Sequence, residues 1–329
     1  MKTRETPKYG RGELPIEYEP WIYDDMIVGE VFGPIEWQHQ PGTHKRTAEK
    51  HHWIIHPWFT DESPWGGPVL NPISYDWIRV MSQWRMGRIQ GAILASYEFQ
   101  VFRPVLEGTK LKATCWIANK FKSGPKERKH VIIDAILEAA DGELVSFQRA
   151  DQVLFDKPSA LEEVKAGRKT LEQARDESRR EKRAIAIEVG NTEIIPATKD
   201  IAIGHRLRVE PHVAVDSYEW EDGKWIDNIH TEEYAKKLGY RGAVVGGIMP
   251  PQAVHKGLID FFGEDFLYTG KNHWKMRRPV YVGDVIKAEV WVADKIKEGD
   301  GTRIVVQYYL ENQEGEKVTE GTASARLTR

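Results

Sequence analysis

Arg103-Pro104-Val105-Leu106-Glu107-Gly108 returns as Arg278-Pro279-Val280-Tyr281-Val282-Gly283, and both the arginines and the last glycines stand 175 positions apart. Working outward, Gly67-Pro68-Val69 returns as Gly242-Ala243-Val244, and Val28-Gly29 as Ile203-Gly204, at that same interval of 175. Further on, Gly142 returns as Gly315, Ala150 as Ala323 and Leu154 as Leu327 at 173, so one turn has lost two residues. An interval held over so much sequence marks a duplicated fold unit.

Each copy carries the same order of signals. An opening strand (31–38 and 206–215) leads into an irregular, aromatic and His-rich stretch (49–66 and 216–241). A helix follows, over 73–87 in the first copy, where Ile73, Trp77, Val80, Met81 and Trp84 share a face, and over 250–262 in the second, where Val254, Leu258, Phe261 and Phe262 do. Pro72 and Pro250-Pro251 sit where helix starts accept proline. Then come alternating strands separated by turn signals at Glu107-Gly108, Asp141-Gly142, Gly283-Asp284 and Glu314-Gly315. One helix followed by a run of antiparallel strands is an α+β pattern, the helix packing its apolar stripe on the sheet.

With 329 residues, the chain has room for two such units. The expected division is an extension over 1–22, a first unit over 23–157, a charged linking helix over 158–196 and a second unit over 197–329. The charged run within it, Ser159 to Arg183, ends in Arg179-Arg180-Glu181-Lys182-Arg183, read as a solvated helix end rather than a phosphate site. Lys and Arg total 47 against 50 Asp and Glu, a net charge of −3, which excludes the broad basic field of a nucleic-acid binder. The single cysteine, Cys115, reads as a buried strand position. No apolar h-region opens the chain and no window is long enough to span a membrane, so a soluble cytoplasmic protein is expected.

His51, His52 and His56 resemble a metal cluster in composition, but no carboxylate or cysteine stands near at ligand spacing, and no metal is expected. Trp58, Trp65, Trp77 and Trp84 concentrate aromatic area in the first copy, to fill its core or line an acyl pocket.

A duplicated unit of a helix wrapped by an antiparallel sheet resembles the double hot-dog proteins, specifically the MaoC-like family of R-specific enoyl-CoA hydratases and dehydratases. The residues that carry the resemblance are Asp227-Asn228-Ile229-His230, Gly239 to Met249, and Arg277-Arg278-Pro279-Val280-Tyr281-Val282-Gly283-Asp284. The family pattern is Asp-x-Asn-Pro-x-His, a spacer, His-Gly-Met, then Arg-Arg-Pro-Val-x-x-Gly-Asp. This chain departs from it. Aligned on His230 without a gap, Trp225 falls where the aspartate belongs and Asp227 where the asparagine belongs, and Gly246 replaces the histidine before Gly247. Asn71-Pro72-Ile73-Ser74 looks like the family Asn-Pro-x-His, but the repeat pairs Asn71 with Gly246 and places it at a helix start.

The resemblance implies addition or removal of water at the 2,3 position of a coenzyme A thioester, in fatty or aromatic acid metabolism. Such chemistry needs a base for water, an acid for the α-carbon, and donors for charge on the thioester oxygen. Asp227 and His230 are expected as the acid/base pair, with Asp222 and Asp216 in reserve, and the Gly247 N–H as the oxyanion donor. Gly246, His56, Trp58 and Asn71 are expected to contact substrate, the first copy having given up catalysis to make room for the acyl chain. No cofactor is expected beyond the coenzyme A of the substrate. Two hot-dog units in one chain satisfy the pairing that single units obtain by dimerising, so a monomer or homodimer is expected. A thioesterase on the same scaffold, or a non-catalytic acyl-CoA-binding protein, is the rival reading.

Overall fold

In the repeated turns, glycine is demanded by the backbone: Gly29 and Gly204 take φ of 85° and 87°, and donate their N–H groups to the carbonyls of Ile117 and Val292, each 2.8 Å away. The paired segments around the quoted motif repeat too. Leu70 N–H donates to Val105 C=O and Val245 N–H to Val280 C=O, both at 2.7 Å, and the isolated bridges Val69 with Leu106 and Val244 with Tyr281 match. Sequence similarity thus reappears as the same hydrogen bonds in both copies.

The computed structural model describes residues 22–51, 55–61, 63–84, 92–154, 194–214, 229–230, 232–237 and 239–327, with single positions between 164 and 173. The first half holds β1 (Val31–Gln38), α1 (Thr43–His51), α2 (Tyr75–Trp84), β2 (Ile93–Val101), β3 (Lys110–Ser123), β4 (Arg128–Ala139) and β5 (Leu144–Leu154). The second holds β6 (Arg206–Leu207), β7 (His212–Val213), α3 (Glu232–Lys237), α4 (Gln252–Phe262), α5 (Glu264–Thr269), β8 (Lys271–Met276), β9 (Val285–Glu298), β10 (Gly301–Glu311) and β11 (Lys317–Leu327). All the ladders are antiparallel, in the order β1-β3-β4-β5-β2-β8-β11-β10-β9-β6, with β7 paired to β9. The two halves therefore meet edge to edge at β2 and β8, Ser96 facing Lys275 and Gln100 facing Lys271.

The opening strand of the first copy falls where the period predicts. That of the second copy is broken into β6 and β7, with Pro211, which has no N–H for a ladder, in the gap. Both helices start later than expected. A 3-10 turn over Pro72–Ser74 precedes α2, and the prolines at 250 and 251 stand ahead of α4 rather than in it. The lost pair of residues is located at one hairpin: four residues join β3 to β4, but only Gly299 and Asp300 join β9 to β10.

Helix α4 is buried through Val254, Leu258, Ile259, Phe261 and Phe262, within a cluster that includes strand residues Val290, Ile304, Tyr308 and Ala325. The same cluster takes in Phe59, Val69, Ile73, Tyr97 and Phe99 from the first half. Tyr75 and Ile78 of α2 fill a second cluster with Leu111, Leu137 and Val145. Cys115 is fully buried in β3, as its sequence setting predicts. The expected linking helix and its basic end lie almost wholly outside the described residues. No helix among the described residues is long and apolar enough to cross a membrane.

Candidate functional site

Where the halves meet, a cleft of about 600 Å³ opens between α2, the start of β2 and the β3–β4 hairpin on one side, and the loops around 229–230 and 240–248 on the other. His230 lines it, together with Gly246 and Gly247. The His230 loop is tied to the strand-like segment before α4, because Val244 N–H donates to the Ile229 carbonyl at 2.9 Å. The His230 ring completes the tie through Nδ1, which donates to the Val244 carbonyl. A carbonyl only accepts, so Nδ1 carries the proton and Nε2 of the neutral ring keeps its lone pair, the form a general base requires.

His56, the counterpart of His230 in the first copy, is held the opposite way. Its Nδ1 accepts from Trp58 N–H at 3.2 Å, capping the 3-10 turn Pro57–Phe59, so in the neutral ring the proton sits on Nε2, 3.3 Å from Asp260 Oδ1. Lys256 Nζ reaches the other Asp260 oxygen at 2.7 Å. Burial alone would raise the Asp260 carboxyl, but hydrogen bonds from His56 and Lys256 outweigh it and hold it below the usual range. The two copies therefore give their matched imidazoles opposite tautomers, one spent on a structural ion-pair cluster and one facing a cleft.

Gly247 has a steric reason to be glycine. A Cβ there would lie 2.8 Å from Leu94 Cβ, so the close neighbour is β2 of the other half rather than the open space a substrate would need. Its carbonyl accepts from Trp274 Nε1 at 3.1 Å. Gly247 also stands five residues before the first residue of α4, in the turn that leads to it. Because a helix dipole acts within the first turn, it gives that N–H little help.

Asp227 lies outside the described residues, as do Asp222 and Asp216. His56, Trp58 and Asn71 do not line this cleft. Trp58 packs edge-on to Trp65, ring centroids 5.6 Å apart, against the main core cluster. Asn71 is buried at a helix start, as the repeat requires. Its Oδ1 accepts from Ile73 N–H at 3.2 Å and its own N–H donates to His44 Nε2 at 3.1 Å. Its Oδ1 and N–H are thus committed to the backbone turn and to His44, away from the cleft where contact with substrate was expected.

Sequence reasoning did not single out two groups that the fold assembles. Asp76 and Arg79, one turn apart on α2, form a buried ion pair at the cleft, with Arg79 Nη2 2.6 Å and Nε 2.8 Å from Asp76 Oδ1. Spacing of three on a helix was the available signal. His39, His44 and Glu107 come together as potential metal ligands, in place of the composition-based cluster, whose His52 and His51 side chain are not described. Two of these three already have other work: His44 Nε2 accepts from Asn71, and the Glu107 oxygens accept from Gly42 N–H at 2.6 Å and His44 N–H at 3.0 Å. Those donors belong to the start of α1, which fits a capping role for Glu107 better than metal binding.

No protein-family model matches the sequence, and no curated protein matches it. Solved structures do match the fold. A MaoC-like dehydratase is 14% identical, with a TM-score of 0.68 over 91% of this chain and 98% of its own. A double-hotdog protein from Mycobacterium tuberculosis is 12% identical with a TM-score of 0.60, covering 94% of this chain and 99% of that one. A MaoC-like dehydratase from Phytophthora capsici is also 12% identical, with a TM-score of 0.58 over 94% of this chain and all of that one. At such identities the likeness shows architecture, and by that architecture this chain is a double hot-dog protein with MaoC-like dehydratases among its structural neighbours.

Proposed function

We propose that the protein adds water to, or removes it from, the 2,3 position of a coenzyme A thioester, with His230 as the acid/base group. The observation that supports the reading is the placement of His230: its Nδ1 donates to the Val244 carbonyl, so in the neutral ring Nε2 is the basic atom, and the residue lines a cleft of about 600 Å³, large enough for an acyl group. Asp227, three residues earlier in the sequence, is proposed to orient the water with it. The Gly247 N–H is proposed as the donor to the thioester oxygen, where enolate charge gathers. In hydration, His230 takes a proton from water as the water oxygen bonds to carbon 3, and the protonated ring returns that proton to the α-carbon, leaving His230 neutral again. Dehydration is the reverse. No cofactor is invoked beyond the coenzyme A of the substrate, and a monomer or a homodimer would serve.

The test is absorbance of a panel of enoyl-CoA and 3-hydroxyacyl-CoA thioesters. His230→Ala is expected to lower turnover by roughly 100-fold or more, the usual worth of a general base. Its melting temperature should stay near that of the wild type. Turnover unaffected by the substitution, or none with any thioester, would end the assignment.

A further inference from the structure

The hairpin that is two residues longer in the first copy borders the cleft with Ser123, Arg128 and His130. Ser123 Oγ lies 2.7 Å from His130 Nε2, and His130 Nδ1 lies 2.9 and 3.1 Å from the two oxygens of Asp151. The sheet register makes this contact. Phe121 and Val153 pair directly with His130, so Ser123 and Asp151, two residues along on β3 and β5, stand on its face of the sheet. The Phe121 ring lies flat on the imidazole, centroids 4.5 Å apart. The His130 and Asp151 side chains are 12% and 18% exposed, which shields their contact from solvent.

The second copy shows what the same three positions do when they serve structure alone. Allowing for the shorter hairpin, Ser123, His130 and Asp151 correspond to Glu298, Arg303 and Ser324. There Arg303 donates to Glu298 Oε1 at 2.8 Å and to Ser324 Oγ at 3.2 Å, an ion-pair brace across three strands. The scaffold therefore brings the three positions together in both copies. Only the first fills them with a hydroxyl, an imidazole and a carboxylate in the order that activates a nucleophile.

We infer that Ser123, His130 and Asp151 form a second, nucleophilic site that cleaves acyl esters or thioesters at the mouth of the cleft. Ser123 Oγ attacks the acyl carbonyl while His130 Nε2 takes its proton, and Asp151 holds the ring and balances the imidazolium. His130 then gives that proton to the departing thiol or alcohol, leaving an acyl-serine. Water, deprotonated by His130, attacks the acyl-serine, and the acid leaves as Ser123 regains its proton. Arg128, the ladder partner of Ser123 and a neighbour in the cleft, brings positive charge for the oxyanion. This site does not depend on the hydratase reading, since it uses none of the same residues.

The full chain treated with a fluorophosphonate, which reacts with activated serines, followed by peptide mass mapping, tests it. A stoichiometric adduct on Ser123 is expected, forming roughly 100-fold more slowly in His130→Ala. Asp151→Asn should slow it as well, and Ser123→Ala should lose both the adduct and any release of p-nitrophenol from its butyrate ester. Melting temperatures report whether the variants remain folded. An unlabelled Ser123 in folded wild type, or labelling at an unchanged rate in folded His130→Ala, would overturn the proposal, whatever the enoyl-CoA assays give.

Discussion

His255 sits on α4, 1% exposed, with Phe59, Phe99 and Phe266 around it at ring-centroid distances of 6.2, 5.6 and 5.5 Å. Burial, and secondarily the charge of His56, push its pKa down to about 3. Between that value and the ordinary 6.5, the unfolded chain binds a proton that the folded one refuses. The neutral ring's contribution is thus complete above pH 6.5 and shrinks as pH falls toward 3, by up to about 1.4 kcal/mol per unit. His212, lowered by burial to about 4, adds a second contribution of the same sign. Replacing His255 by Phe, which suits the aromatic surroundings, should flatten the fall of the urea midpoint between pH 6.5 and 4.5. An identical pH dependence in the variant would show that this ring does not govern the acid limb. His255 falls within the helix expected over 250–262, and its burial among aromatic rings is what keeps it uncharged.

At the scale of elements, α1 depends on a residue far along the chain. Its sequence, THKRTAEKH, is polar and short, and a helix of nine residues does not persist alone in water. Glu107 supplies acceptors for two N–H groups at its start, Gly42 and His44. Burial holds the Glu107 carboxyl above its usual range, and those two hydrogen bonds offset only part of that rise. Glu107→Ala should cost about 2 kcal/mol, the order expected when buried donors lose their acceptor. Hydrogen exchange at the Gly42 and His44 amides should quicken by at least about 10-fold in that variant, while amides of β4 hold their protection. The sequence placed Glu107 in a turn of the repeated motif, and a turn glutamate gives no sign of a capping partner more than sixty residues away. The loop that carries His230 illustrates the same gap: the resemblance pointed to His230, but the opposite tautomers of His230 and His56 follow from contacts with Val244, Trp58 and Asp260 that no spacing encodes.

For the molecule as a whole, the seam between β2 and β8 is the main structural fact. Tyr97 faces Trp274 across it, ring centroids 4.9 Å apart, and neither side chain is exposed. Since the core around α4 includes residues of both halves, neither can unfold without opening apolar surface of the other. Calorimetry should give one transition for both halves, and Trp274→Ala should destabilise the whole by about 3–5 kcal/mol, as large aromatic truncations do in packed cores. Two resolved transitions in the wild type would contradict that coupling.

The sequence by itself determined the duplication, the α+β order within each copy, the burial of Cys115 and the first copy's opening strand, because these rest on local period and on a backbone that needs glycine at fixed turns. It also located His230. Only the tertiary structure decided that the two sheets join at their β2 and β8 edges, that Leu94 presses on Gly247, that Asn71 bonds to His44, and that Ser123, His130 and Asp151 stand in line. Those facts depend on strand register and on contacts between segments distant along the chain, and side-chain periodicity records which face a residue takes without recording what it meets there.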